Sequence, residues 1–145
     1  SWFDSYYIYD ESGAVLFTVE GKLSWGHCLH ILDAAGQHIG TVQERVLTFL
    51  PNFELYIGER LVGEIQQAFT LFRPQFRVDC CGWQVDGDLW EWDYTVSDGA
   101  RTVMRLSKQL LNWTDTYLMA IDRPEDALYC LMIVLAIDAA KCSRK

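Results

Sequence analysis

Apolar and polar residues alternate through most of the chain up to about residue 121. Val15, Phe17 and Val19 form one such run, and Trp90, Trp92, Tyr94 and Val96 form another. A period of two marks strands with one buried face. Turn signals separate the runs: Asp10-Glu11-Ser12-Gly13, Asp33-Ala34-Ala35-Gly36, Gly58-Glu59-Arg60, Asp86-Gly87-Asp88 and Asp98-Gly99. Glycine supplies positive φ at such places, and aspartate closes the turn with its own side chain. Pro51 and Pro74 fall between strands, where no ladder needs the missing N–H. The runs add up to about twelve strands between residues 6 and 121, with the even spacing of a barrel or sandwich.

The pattern repeats. Ile39-Gly40-Thr41-Val42 matches Val62-Gly63-Glu64-Ile65 at an offset of 23, and Phe49, Pro51, Phe53 and Leu55 match Phe72, Pro74, Phe76 and Val78 at the same offset. Backwards, Asp10, Gly13, Leu16, Val19 and Lys22 fall on Asp33, Gly36, Ile39, Val42 and Arg45. A fourth copy lies 64 positions beyond the second: Val103, Leu106 and Leu110 match Ile39, Val42 and Val46, and Trp113, Tyr117 and Met119 match Phe49, Phe53 and Leu55. An insert of 18 residues, roughly 79–96, separates the third copy from the fourth. Each copy reads as strand, turn, strand, bend, strand, a unit that cannot bury its apolar face alone.

The last segment has a different character. Pro124-Glu125-Asp126 is a helix start, with proline in the first turn and acids at the positive dipole end. Residues 127–137 then carry no charge, and Lys141, Arg144 and Lys145 follow. A helix over about 124–141 that is apolar on every side must be enclosed on every side. The run is too short for a bilayer, which needs about 20 apolar residues. A twelve-strand barrel is too wide to fill with side chains alone, and a helix about 10 Å across fits its lumen. Residues 1–145 are therefore expected to form one domain: a closed antiparallel barrel plugged by its own C-terminal helix.

Composition narrows the partners. The net charge of −8 argues against nucleic acid and against docking on anionic lipid through a general positive field. Cys28, Cys80, Cys81, Cys130 and Cys142 are odd in number and include no C-x-x-C, so reduced structural thiols are expected. No leader-like segment is read at the start, and the expected setting is cytoplasmic.

Candidate chemistry is sparse. The stretch from 79 to 98 around this insert holds Asp79, Asp86, Asp88, Glu91, Asp93 and Asp98 with no Lys or Arg. Paired carboxylates hold hard cations or run acid–base chemistry. Here the alternation predicts tryptophans inward and solvated acids outward, with Asp86-Gly87-Asp88 as the hairpin turn. His27, Cys28 and His30 lack the spacing and number of a zinc site. No nucleophile elbow, phosphate loop or dinucleotide fingerprint occurs. No catalytic, cofactor or metal residue is assigned, and no cofactor is expected.

The strings Tyr9-Asp10-Glu11-Ser12-Gly13, Val19-Glu20-Gly21, Ile31-Leu32-Asp33-Ala34-Ala35-Gly36, Gly82-Trp83, Trp90 with Trp92-Asp93-Tyr94, and Leu135-Ala136-Ile137-Asp138-Ala139 together resemble the LURP-one-related family. That family stands in the tubby C-terminal-like superfamily with the phospholipid scramblases. The resemblance spans nearly the whole chain and implies a twelve-stranded barrel around a C-terminal helix. Tubby proteins bind phosphoinositides through clustered lysines and arginines, so the resemblance makes Arg73, Arg77, Arg101 and Arg105 the candidate ligand residues here. The expected function is a non-enzymatic barrel binding a lipid headgroup, a small anionic ligand or a protein partner, peripherally and with no integral membrane span. The alternatives are an interaction module with no small ligand and, last, a metal-dependent enzyme built on the acidic insert.

Overall fold

The computed structural model describes residues 5–72, 74–111 and 114–143; Arg73, Trp113, Arg144 and Lys145 lie outside these. Among the described residues eleven strands form: β1 Ser5–Tyr9, β2 Val15–Lys22, β3 Cys28–Leu32, β4 His38–Glu44, β5 Asn52–Ile57, β6 Arg60–Ala68, β7 Gln75–Asp79, β8 Gln84–Asp88, β9 Asp93–Ser97, β10 Thr102–Leu111 and β11 Thr114–Ile121. They make two antiparallel meanders, a seven-stranded sheet in the order β1 to β7 and a four-stranded sheet in the order β11, β10, β9, β8. The protein is thus mostly β, with one α-helix after the last strand.

The hairpins share one irregularity. Ile8 faces Phe17 but Tyr9 faces Val15, which leaves Leu16 without an opposite residue. Ile31 faces Gly40 but Leu32 faces His38, leaving Ile39. Leu55 faces Gly63 but Tyr56 faces Leu61, leaving Val62. Val96 faces Met104 but Ser97 faces Thr102, leaving Val103. These are the four positions that the 23- and 64-residue offsets relate. A bulge bends its strand and sharpens the twist, so four hairpins curl at matched places. Beyond each bulge, Val19, Val42, Ile65 and Leu106 are fully buried. The aspartate turns are also built as expected: Asp10 Oδ1 accepts from the N–H groups of Ser12 and Ala14, and Asp33 Oδ1 from those of Ala35 and Gln37.

The insert departs from its sequence reading. Asp86-Gly87-Asp88 is not the turn but the end of β8, where Gly87 pairs with Tyr94 and Asp88 with Asp93. A Cβ on Gly87 would lie 2.6 Å from the Asp93 carbonyl oxygen, so the close pairing itself needs glycine. The turn is made by a 3₁₀ segment, Leu89–Glu91, followed by Trp92 in the left-handed region at φ 53°. Trp90 and Trp92 therefore do not line one face of a strand with Tyr94. Tertiary contacts outweigh the local turn signal. Leu89 is drawn into the core, and Lys141 Nζ donates to the Trp90 carbonyl at 2.6 Å and sits 3.2 Å from the Trp92 ring centre.

A 3₁₀ turn over Pro124–Asp126 leads into α1, Ala127–Ser143. Cys130, Leu131, Met132, Ile133, Leu135, Ala136, Ile137, Ala139 and Ala140 are all buried. At about 100° per residue these positions point in every direction around the axis, so α1 is enclosed as its composition predicts. Its first turn packs on β4, where Leu128 lies 3.4 Å from the place a Cβ on Gly40 would take. Tyr129 meets Trp83 edge-on at 6.1 Å, and the last turn reaches Trp90 and Trp92 through Lys141. Residues of both sheets and of the helix thus share one buried core. Among the described residues no helix is long and apolar enough to cross a membrane.

Candidate functional site

β7 and β8 are consecutive in the chain, yet each is the edge of its own sheet. The corner between them, residues 80–83, places Cys81 at φ 63° and Gly82 at φ 69°, two left-handed residues in succession. Cys80 is buried against Gly63 of β6; a Cβ on that glycine would lie 2.7 Å from the Asp79 carbonyl oxygen. The tight inner packing tips the corner so that β7 and β8 border a groove of about 570 Å³. Buried Phe76, Val78, Trp83 and Leu89 contribute apolar lining, and exposed Gln75, Arg77, Gln84 and Asp86 contribute polar lining.

The candidate arginines separate cleanly. Arg77 stands exposed on β7, paired in register with Gln66, and lines the groove. Arg73 lies outside the described residues. Arg101 is engaged by three carboxylates of its own chain: Asp98 at 3.3 Å, and Asp122 and Asp126 at 3.1 Å. The bond to Asp126, then the charges around it, hold its guanidinium above the ordinary arginine value. Those bonds pin the β9–β10 turn, the end of β11 and the start of the helix together. Arg105 donates to the Asp93 carboxylate and to Thr95 Oγ1 on neighbouring β9. The sequence showed Asp98 three residues before Arg101, but the carboxylates from β11 and the helix start are brought in only by the fold.

The acids and histidines of the candidate chemistry are dispersed. Asp86 lines the groove, Asp93 meets Arg105, and Asp98 closes its turn by accepting from the N–H groups of Ala100 and Arg101. His27 is bound to Glu44 at 2.9 Å, and His30 stacks on His38 with ring centres 4.0 Å apart. Among the described residues no three His, Cys, Asp or Glu side chains are placed to hold a metal ion. Burial raises the thiols of Cys28, Cys80 and Cys81 and pushes Cys130 up to about 12, so these four are held as neutral thiols rather than reactive thiolates.

At the far end of α1, burial raises Asp138 above the ordinary carboxylate value. A hydrogen bond with Trp92 and the charges of Lys141 and His27 act in the opposite direction. Lys108 Nζ lies 4.7 Å from the same indole, whose ring centre is 5.4 Å from Tyr117. The left-handed Trp92 is thus held from several sides at once.

The model of the family described as LURP-one-related matches residues 1–138. A protein of Bacillus subtilis (strain 168), called "Uncharacterized protein YxjI", is 33% identical over 139 residues, covering 95% of this chain and 86% of that protein. No solved structure matches the chain. With a family match over almost its whole length, the chain belongs to the LURP-one-related family.

Proposed function

We propose that this LURP-one-related protein is a non-enzymatic binding protein, and that the groove between β7 and β8 takes a small ligand bearing an anionic group, held by Arg77. The observation that carries this reading is the state of the three described candidate arginines. Arg101 and Arg105 have carboxylate partners, whereas Arg77 has none within ion-pair distance among the described residues and borders a groove whose open lining is mostly polar. A polar groove suits a small hydrophilic anion, and a guanidinium suits phosphate or carboxylate. In the same proposal the two sheets are walls of one barrel of the tubby C-terminal-like kind, with β7 and β8 at its seam. A cytoplasmic setting fits its five free cysteines.

Thermal melting of the full chain at low salt, with inorganic phosphate, a soluble inositol phosphate or acetate, tests the reading. A ligand bound only by the folded state raises the melting temperature with concentration. The rise is expected with at least one of these anions, and it is expected to vanish in Arg77→Ala. Asp86→Asn removes the groove's carboxylate and is expected to strengthen binding. No rise with any anion, or an equal rise in Arg77→Ala, leaves the second reading, an interaction module with no small ligand.

A further inference from the structure

Three connections leave the seven-stranded sheet at one end: residues 23–27, 45–51 and 69–74, after β2, β4 and β6. In a meander the alternate connections share an end, so the turns at Asp10, Asp33 and Gly58 lie at the other. The first end carries large apolar side chains standing in the open. Leu47 is 101% exposed, Phe72 95%, Phe49 91% and Trp25 86%, and Leu23, Phe69 and Leu71 are nearly as bare. Exposed apolar residues are usual when single; a contiguous set marks an interaction surface.

The charges at the two ends differ. Among the described residues, 22–27, 45–51, 69–72 and 74 hold Lys22 and Arg45 and no Asp or Glu, within a chain of net charge −8. Glu44, next to Arg45, turns inward and accepts from the His27 backbone N–H at 2.9 Å. Among the described residues Lys22 pairs with Glu20 at 3.4 Å and Arg45 loosely with the partly buried Glu64 at 3.9 Å. The opposite end carries four acids, Asp10, Glu11, Asp33 and Glu59, against one cation, Arg60 at the start of β6. The sheet is therefore apolar and basic at one end and acidic at the other.

We propose that this rim docks the protein on an anionic bilayer, with Trp25, Leu47, Phe49 and Phe72 entering the interface and Lys22 and Arg45 at headgroup level. The order of the chemistry selects a membrane over a protein partner. A protein interface centres on partly buried apolar residues inside a polar margin. Here the apolar atoms are outermost, on three separate loops, with the described cations set back at the strand ends. That order matches the depth profile of a leaflet, hydrocarbon below and phosphate above. The acidic end faces away from the lipid, so the net charge does not oppose this orientation. None of these residues lines the β7–β8 groove.

Co-sedimentation of the full chain with vesicles of phosphatidylcholine, with and without phosphatidylserine, tests the proposal. Binding is expected with phosphatidylserine at low salt, weakening as salt screens it. Phe49→Ser combined with Phe72→Ser is expected to cost about tenfold or more in affinity, since each ring gives up its insertion. The melting temperature of that variant is expected to stay unchanged, because both rings are already in solvent. Brominated lipid is expected to quench the wild type more than Trp25→Phe. Arg77→Ala is expected to sediment normally, which keeps failure of the groove reading distinct from failure of this one. Absence of vesicle binding at low salt, an unaffected double variant, or a self-associated form that the double variant dissolves in place of vesicle binding overturns it.

Discussion

Asp138 is the single carboxylate of α1, and its surroundings hold it in opposition. Burial raises its pKa more than Trp92, Lys141 and His27 lower it. The native state therefore binds this proton more tightly than the unfolded chain does. The stability so gained is complete below the ordinary carboxylate value and is lost as pH rises through the raised native one. Asp138→Asn keeps an oxygen to accept from Trp92 and removes the buried charge. It is expected to melt above the wild type at pH 7, with the difference closing as the pH falls towards 4, read by calorimetry across that range. Gly63 makes a steric case. Its place against the Asp79 carbonyl and the Cys80 side chain leaves no room for a methyl group, and Gly63→Ala is expected to cost about 1–3 kcal/mol in urea unfolding. Arg101 is held by three acids from three elements, so Arg101→Ala leaves Asp98, Asp122 and Asp126 facing one another. A lower melting temperature is expected, partly restored by salt because the site is open to solvent on one side.

Among the elements, α1 was the most legible. Eleven uncharged residues behind Pro124-Glu125-Asp126 allow one outcome in water, and the helix is enclosed as that composition requires. Ile133→Asp puts an unpaired charge at a fully buried position, at a cost of several kcal/mol against a total stability of about 5–15. No cooperative melting transition is expected from that variant, while Val134→Asp, at a half-buried position, is expected to be milder. The strands were legible through their period of two; the bulges at Leu16, Ile39, Val62 and Val103 were not, because an extra residue in one strand shows only against its partner. Legibility failed where distant segments decide. Asp86-Gly87-Asp88 has the local chemistry of a turn, but Leu89 and Lys141 move the turn three residues on. Arg77, Arg101 and Arg105 look alike in one dimension, and only the fold assigns acids to two of them. The β7–β8 groove had no sequence signature, because an unpaired edge is a property of the sheet order.

Over the whole molecule, two sheets share one interior. Trp83 and Gly40 meet the first turns of α1, and Trp90 and Trp92 meet its last. Neither sheet has another helix to cover its inner face among the described residues. The protein is therefore expected to unfold in one step, with tryptophan fluorescence and far-ultraviolet dichroism giving coincident urea transitions. The order of the chain adds a constraint in time. Every described strand is synthesised before α1, so a chain still on the ribosome holds eleven strand-forming segments without the helix on which they pack. Bulges and short turns can shape the ribbons early, but their apolar sides stay wet until residues 127–140 emerge. Translation stalled before that point leaves an open, adhesive ribbon, which makes the last helix the natural checkpoint for chaperones and proteases.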